Sequence, residues 1–168
     1  MPFDEPMTNY AQLSRELTAL VAQENNSICL LANSCALLFH HLAQINWLGF
    51  YLRQDSTLLL GPFQGKIACQ RIKLPQGVCG HAVTTGQVVR VDEVEQFVGH
   101  IACDSASRSE IVLPLWLNGQ VVAVLDIDSP VIGRFSPQDE KSLTALTQII
   151  NNQLELTDYL AVISQMSC

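Results

Sequence analysis

The sequence predicts an α+β fold: an antiparallel sheet of about six strands with the N- and C-terminal helices on one face. Three observations predict it: helical periodicity at both ends of the chain, short apolar runs between them, and a late hairpin signal. The irregular middle of the chain then covers the other face of the sheet, where a short helix and loops form the lid of a ligand pocket. We expect a single domain over residues 1–168.

The N-terminal part of the chain predicts two helices. Asn9 can cap the first, whose apolar residues recur at helical spacing up to Val21, and Gln12 is placed to reciprocate the cap. The second helix follows Asn26. Its apolar positions recur every three or four residues and predict one buried stripe: Ile28, Leu31, Cys35, Leu38 and Leu42.

Short apolar runs then predict a meander of three strands, over 45–52, 57–63 and 66–72. Turn residues from Pro75 onward introduce a short helix that ends near Gly86, followed by a strand over 87–91. Residues 92–107 show no clean periodicity and are expected to form a loop over the sheet.

The strongest hairpin signal is Asn118-Gly119, because both residues tolerate the positive φ of a type I′ turn. Ser136 and Asp139 form a box-like cap for a final helix, which is predicted to run to about residue 163. The runs that flank the turn are predicted to be antiparallel neighbours: 110–117 and 120–128.

Composition limits the function. The formal net charge of −7 disfavours nucleic acid as a partner, and no apolar run is long enough to span a membrane. The N-terminus lacks the cationic and apolar regions of a secretory signal, so we expect a cytoplasmic protein. In that reducing compartment six cysteines indicate packing, metal or redox chemistry rather than a disulfide framework.

Cys103 is the cysteine whose neighbours least resemble a protein core. It lies between His100 and Asp104 in a polar stretch, where a buried thiol has little to pack against and a reactive thiol finds partial exposure. Cys69 and Cys79 fall in segments predicted to cover the same face of the sheet. On residue pattern alone, each of these two is also an ordinary packing residue.

Three carboxylates form a second group at one end of the predicted hairpin. Asp126 and Asp128 share a face of their strand, because side chains alternate along a strand. Counting outward from the turn places Glu110 opposite Ile127, between the two aspartates. On pattern alone these are either solvated surface acids or a site for a cation, and the third acid favours the cation site.

Trp47 and Tyr51 lie four residues apart, on one face of the first predicted strand. Core packing explains most aromatic residues in such a position. Beside three carboxylates, they also suit a ligand that carries both an ammonium and an apolar group.

Four stretches together resemble the free methionine-(R)-sulfoxide reductases, enzymes built on a GAF domain: "GPFQGKIACQRI" (61–72), "GVCGHA" (77–82), "FVGHIACDSASRSEIVLP" (97–114) and "VLDIDS" (124–129). The resemblance implies a GAF-like antiparallel sheet and reduction of free L-methionine-(R)-sulfoxide. It also implies a homodimer with thioredoxin as the electron donor. We expect no bound cofactor and no metal.

The resemblance implies a role for each of three cysteines. Cys103 matches the catalytic cysteine, Cys69 the resolving cysteine, and Cys79 a third cysteine with an auxiliary role. The reaction would leave Cys103 as a sulfenic acid, which condenses with Cys69 to a disulfide that thioredoxin reduces. Asp128 is the candidate general acid, because crowding of like charges raises the proton affinity of at least one carboxyl.

Other positions match the substrate-binding residues of the family. Trp47 matches the aromatic residue that receives the substrate methyl group, and Tyr51 extends that wall. The backbone amides of Ile101 and Ala102, with that of the following cysteine, match those that receive the substrate carboxylate. The acids that match the residues around the ammonium and the sulfoxide are Glu110, Asp126 and Asp128.

Three other functions remain open on the residues alone. A GAF-type domain that senses a small ligand without reacting has no need of redox cysteines. A zinc site would use the same three cysteines with His81 or His100, although no closely spaced cysteine pair is present. A cysteine hydrolase with a histidine base is opposed by three acids, which disfavour a thiolate.

Overall fold

The computed structural model describes residues 8–101 and 104–166. Within these residues the helices are α1 (Tyr10–Val21), α2 (Ser27–His41), α3 (Gly77–Thr85), α4 (Pro137–Leu154) and α5 (Tyr159–Gln165), with a 3-10 turn at Val94–Gln96. The strands are β1 (Trp47–Gln54), β2 (Thr57–Gly65), β3 (Arg71–Lys73), β4 (Val89–Val91), β5 (Ser109–Leu117) and β6 (Gln120–Ser129). No helix among the described residues is long and apolar enough to cross a membrane.

All six strands form one antiparallel sheet in the order β3-β2-β1-β6-β5-β4, which confirms the predicted α+β class. One face carries the larger core, where residues such as Phe50, Leu113 and Leu125 pack against α1, α2 and α4. The other face is apolar at Val112 and Val124 and packs beneath α3 and the loops. The terminal helices and the lid therefore lie on opposite faces, as predicted.

Helix ends follow the capping residues in the sequence. The Asn9 side chain accepts a hydrogen bond from Gln12 N and caps α1, but the Gln12 amide bonds Glu16 and does not reciprocate the cap. The capping box of Ser136 and Asp139 is present at the start of α4. The predicted run of α4 to about residue 163 is wrong, because the helix ends at Leu154.

Asp158 explains the break after α4. Its Oδ1 accepts a hydrogen bond of 2.8 Å from Ser27 N at the start of α2, so the chain leaves the α4 axis to reach that helix end. α5 then follows as a separate helix, anchored by the buried Tyr159. The predicted stripe on α2 is also corrected at one position, because Ile28 is 44% exposed while Leu30 is buried.

A β-bulge near the turn changes the predicted register of the β5–β6 hairpin. Leu115 pairs with Ala123 but Trp116 pairs with Val121, so Val122 is an extra residue on β6. The type I′ turn itself is as predicted, with φ of 51° at Asn118 and 74° at Gly119. Beyond the bulge the register is shifted by one residue, which changes the partners of every residue at the far end of the hairpin.

Candidate active site

A row of side chains across three strands forms the floor of the site. Trp47 on β1 lies opposite Asp128 on β6, and Asp128 lies opposite Glu110 on β5. The predicted pairing of Glu110 with Ile127 is wrong, because the bulge moves the pairing by one residue. This shift decides which face of the sheet Glu110 occupies, because directly opposite residues share a face. Glu110 lies on the face that carries Asp126 and Asp128.

The three acids lie together, with Glu110 and Asp126 buried and Asp128 half-buried. Burial raises the pKa of Glu110, Asp126 and Asp128 well above the usual carboxyl range, and the negative charges of neighbouring acids raise it further. Asp126 Oδ1 is buried without a hydrogen-bond partner among the residues that the structure describes. The cluster therefore favours either bound protons or a cationic ligand, and both can serve a reaction.

Cys79 on α3 faces this cluster. Its Sγ lies within 4.8 Å of an oxygen of Glu110 and an oxygen of Asp126. The Cys79 thiol is free and buried, and burial followed by the nearby acids raises its pKa well above the usual value. A thiol that resists ionisation is a poor nucleophile, so Cys79 suits an auxiliary position.

Aromatic rings form one wall of the site. The Trp47 indole stacks on the Tyr51 ring at a centroid distance of 5.9 Å and on the Phe63 ring at 5.5 Å. A Cβ at Gly49 would lie 2.5 Å from Trp47 Cη2, so the absence of a side chain there gives the indole its space. The wall offers an apolar, electron-rich surface beside the acids.

The same two aromatics hold the segment of residues 66–70. Trp47 Nε1 donates a hydrogen bond of 3.0 Å to the Lys66 carbonyl, and the Tyr51 hydroxyl donates one of 2.9 Å to the Cys69 carbonyl. Because these carbonyls bond the pocket wall, the predicted strand over 66–72 is reduced to Arg71–Lys73. Cys69 therefore lies in an irregular segment beside the pocket and not in a strand.

Cys69 is disulfide-bonded. Its partner is not among the other cysteines that the structure describes, since Cys29, Cys35 and Cys79 are free thiols. Ala102 and Cys103, to which we assign carboxylate binding and nucleophilic attack, lie outside the described residues. Their roles stay predictions.

Asn46 holds the loop that follows Cys103 in sequence. Asn46 Nδ2 donates hydrogen bonds of 3.1 Å to Asp104 Oδ2 and of 3.1 Å to Ser107 Oγ. Asp104 Oδ1 also accepts from Ala106 N at 2.9 Å, and this backbone hydrogen bond is the main reason that the pKa of Asp104 is lowered. The loop is thereby tied to the start of β1.

These elements enclose one pocket of about 530 Å³, including the part open to solvent. His100 lines it, with Nε2 at 3.6 Å from Glu110 Oε2. The predicted site residues that line the pocket are Trp47, Tyr51, Cys79, Ile101, Glu110, Asp126 and Asp128. Sequence reasoning missed further lining residues: Ile67, Ala68, Asp104 and Ser107.

The zinc alternative finds little support in this geometry. The one group of three metal-ligating side chains within the described ranges is Cys79, Glu110 and Asp126, and it contains neither Cys69 nor a histidine. A structural zinc site is usually built from cysteine and histidine ligands.

Comparisons with known proteins show the family of this chain. The GAF domain family model matches residues 31–155. The free methionine-R-sulfoxide reductase of Escherichia coli (strain K12) is 55% identical over 150 residues, covering 89% of this chain and 91% of the relative. The chain belongs to the free methionine-R-sulfoxide reductase family. It is therefore an enzyme, and the alternative of a non-catalytic sensor loses its support.

Solved structures of free methionine-R-sulfoxide reductases share the fold. The reduced form of fRMsr from Staphylococcus aureus is 45% identical, with a TM-score of 0.87, covering 92% of this chain and 99% of that chain. The enzyme from Neisseria meningitidis, solved in complex with its substrate, is 39% identical, with a TM-score of 0.84, covering 88% of this chain and 89% of that chain. The GAF-like fold class predicted from the sequence is confirmed.

Proposed function

We propose that this enzyme reduces free L-methionine-(R)-sulfoxide to methionine. The observation that carries the proposal is the row of Trp47, Asp128 and Glu110, which sets a buried acid cluster beside an aromatic wall in one pocket. A free amino acid with an apolar side chain offers what this pocket lacks: a cation for the acids and a methyl group for the indole. The substrate-bound relative supports the same substrate class.

The substrate is proposed to lie along this row. Its ammonium pairs with Glu110 and Asp126, whose burial leaves them without competing water. Its methyl group packs on Trp47, with Tyr51 behind it. Its carboxylate accepts hydrogen bonds from the backbone amides that begin at Ile101.

The Cys103 thiolate is proposed to attack the sulfoxide sulfur. Asp128 gives a proton to the oxygen, because an unprotonated oxide is too basic to leave. Methionine departs and Cys103 is left as a sulfenic acid. Cys69 then attacks Cys103, which forms a disulfide and releases water. Overall, two thiols supply two electrons and two protons, so sulfoxide and dithiol become sulfide, disulfide and water.

The position and state of Cys69 support its resolving role. It lies in a segment held against the pocket wall by Trp47 and Tyr51, and its sulfur is already in a disulfide. Cys103 is the partner that the mechanism requires. The proposal extends to reduction of that disulfide by thioredoxin, in a cytoplasmic homodimer without a bound cofactor.

Stereochemically resolved substrates test the proposal. Purified enzyme with thioredoxin, its reductase and NADPH is given the R or the S sulfoxide of free methionine, and methionine is quantified. The proposal predicts product from the R isomer and none above background from the S isomer. Product from neither isomer, with a folded and reduced enzyme, contradicts it. A reaction without thioredoxin shows whether a variant has lost reduction of the sulfoxide or only reduction of its own disulfide by thioredoxin.

A further inference from the structure

His100 occupies the boundary between the buried acids and the solvent. Its side chain is 15% exposed, whereas that of Glu110 is 7% exposed, and its Nε2 lies 3.6 Å from Glu110 Oε2. His100 is also the only histidine that lines the pocket among the described residues. The backbone fixes its approach, because His100 N donates a hydrogen bond of 3.1 Å to the Phe97 carbonyl.

The proposed reaction requires proton traffic through this boundary. Each turnover takes one proton from a carboxyl to the sulfoxide oxygen, and the carboxyl must regain a proton before the next turnover. Solvent takes up the protons that the two thiols release and returns them to the carboxyl, so the two protons that leave in water are balanced. Glu110 and Asp126 are buried and Asp128 is half-buried, so a group at the pocket mouth can carry protons from bulk water to the two buried acids.

We infer that His100 transfers protons between bulk water and the acid cluster through Glu110. The protonated imidazole gives its Nε2 proton to Glu110 Oε2, and the neutral ring takes another proton from water or buffer at the pocket mouth. Asp128, directly opposite Glu110, is then resupplied within the cluster. This inference rests on the proposed function, and it makes His100 a positioning residue that acts on the general acid through Glu110.

The surroundings of His100 suit such a transfer. The titratable groups that line the pocket with it are Tyr51 from β1, Cys79 from α3, Asp104 from its own loop, Glu110 from β5, and Asp126 and Asp128 from β6. Burial lowers the pKa of His100, so the ring is mainly neutral near pH 7 and does not hold its proton permanently. The distance of 3.6 Å exceeds a hydrogen bond, so the transfer requires the ring to move closer to Glu110.

His100→Gln tests the inference, because it keeps a polar side chain but cannot carry a proton. We expect kcat to fall by roughly tenfold or more at about pH 8 and by less at about pH 6, where hydronium reaches the cluster directly. Added imidazole should restore part of the activity at the higher pH. His81→Gln is the matched control, since His81 lies on the exposed side of α3 outside the pocket, and it should keep the wild-type profile.

A uniform loss in His100→Gln at every pH, with no rescue by imidazole, overturns the inference and points to a structural role. Thermal unfolding and circular dichroism establish that the variant is folded, and His100→Asn provides a second variant if it is not. The proposed function fails separately, if the wild-type enzyme itself forms no methionine from the R sulfoxide.

Discussion

Glu110 on β5 lies directly opposite Asp128 on β6, so two carboxyls share one face of the sheet at one cross-strand position. Like charges in directly opposite positions destabilise a sheet, and the burial of Glu110 and partial burial of Asp128 add to this cost. The folded chain can keep this arrangement only by holding protons or by binding a cation. The stability of the fold and the proposed chemistry therefore depend on the same carboxyls.

Asp128→Asn should flatten the pH dependence of stability. The pKa of Asp128 is raised in the folded chain, so its contribution to stability is fully present below its unfolded pKa of about 4 and is lost as pH rises through the folded value. Asparagine cannot ionise, so this loss is absent from the variant. Urea denaturation from about pH 5 to about pH 8 measures the free energy of unfolding. An equal decline in variant and wild type contradicts the account.

Blocking the substrate ammonium should abolish most of the reaction. N-acetyl-methionine-(R)-sulfoxide leaves the buried acids without a cation, and we expect kcat/KM to fall by about a hundredfold or more. Steady-state assays with free and acetylated substrate at equal concentration measure the ratio. Comparable rates for the two substrates would show that Glu110 and Asp126 do not recognise the ammonium.

Gly49→Ala should disturb the aromatic wall, and it does so at the position directly opposite Asp126 on β6. The new methyl group would lie 2.4 Å from Phe63 Cβ and 2.5 Å from Trp47 Cη2, so both aromatic side chains of the wall must shift. We expect a loss of about 1–3 kcal/mol in the free energy of unfolding and a higher KM for the sulfoxide. The control is Gly133→Ala, where nothing lies within 4 Å and only the backbone strain at φ 65° is added. A wild-type KM in folded Gly49→Ala would show that the aromatic wall does not contribute to substrate binding.

Asn46→Ala should loosen the loop that carries Asp104 and Ser107. The substitution removes two hydrogen bonds, each of 3.1 Å, so kcat should fall by roughly tenfold or more. The dependence of kcat on pH should change little. Ser107→Ala removes one of these bonds and should lose less. Unchanged kcat in both variants, with native unfolding temperatures, would mean that the loop does not depend on Asn46.

Much of the fold follows from local patterns in the sequence. The caps at Asn9 and Ser136, and the Asn118-Gly119 turn, act over a few residues and therefore appear in the structure where the sequence predicts them. The break between α4 and α5 was not predictable in this way, because it depends on the contact of Asp158 with the distant Ser27. Contacts of that range leave no periodic signal.

The sequence predicts several of the residues that line the pocket but not the cross-strand pairing of the acids. The acids stand out in the sequence because charged residues are costly on an otherwise apolar strand. Their pairing was wrong by one residue, since a bulge at Val122 is invisible to counting from the turn. Asn46 and Asp104 were missed because their importance lies in hydrogen bonds between segments far apart in the chain.

In the proposed mechanism Cys103 takes the oxygen from the sulfoxide and Cys69 resolves the resulting sulfenic acid. The most direct measurement is the methionine formed per enzyme from the R sulfoxide in the absence of any reductant, in Cys69→Ser and in Cys103→Ser. The account predicts about one equivalent from Cys69→Ser, with a trapped sulfenic acid, and none from Cys103→Ser. Methionine formed at the wild-type level by Cys103→Ser would contradict it.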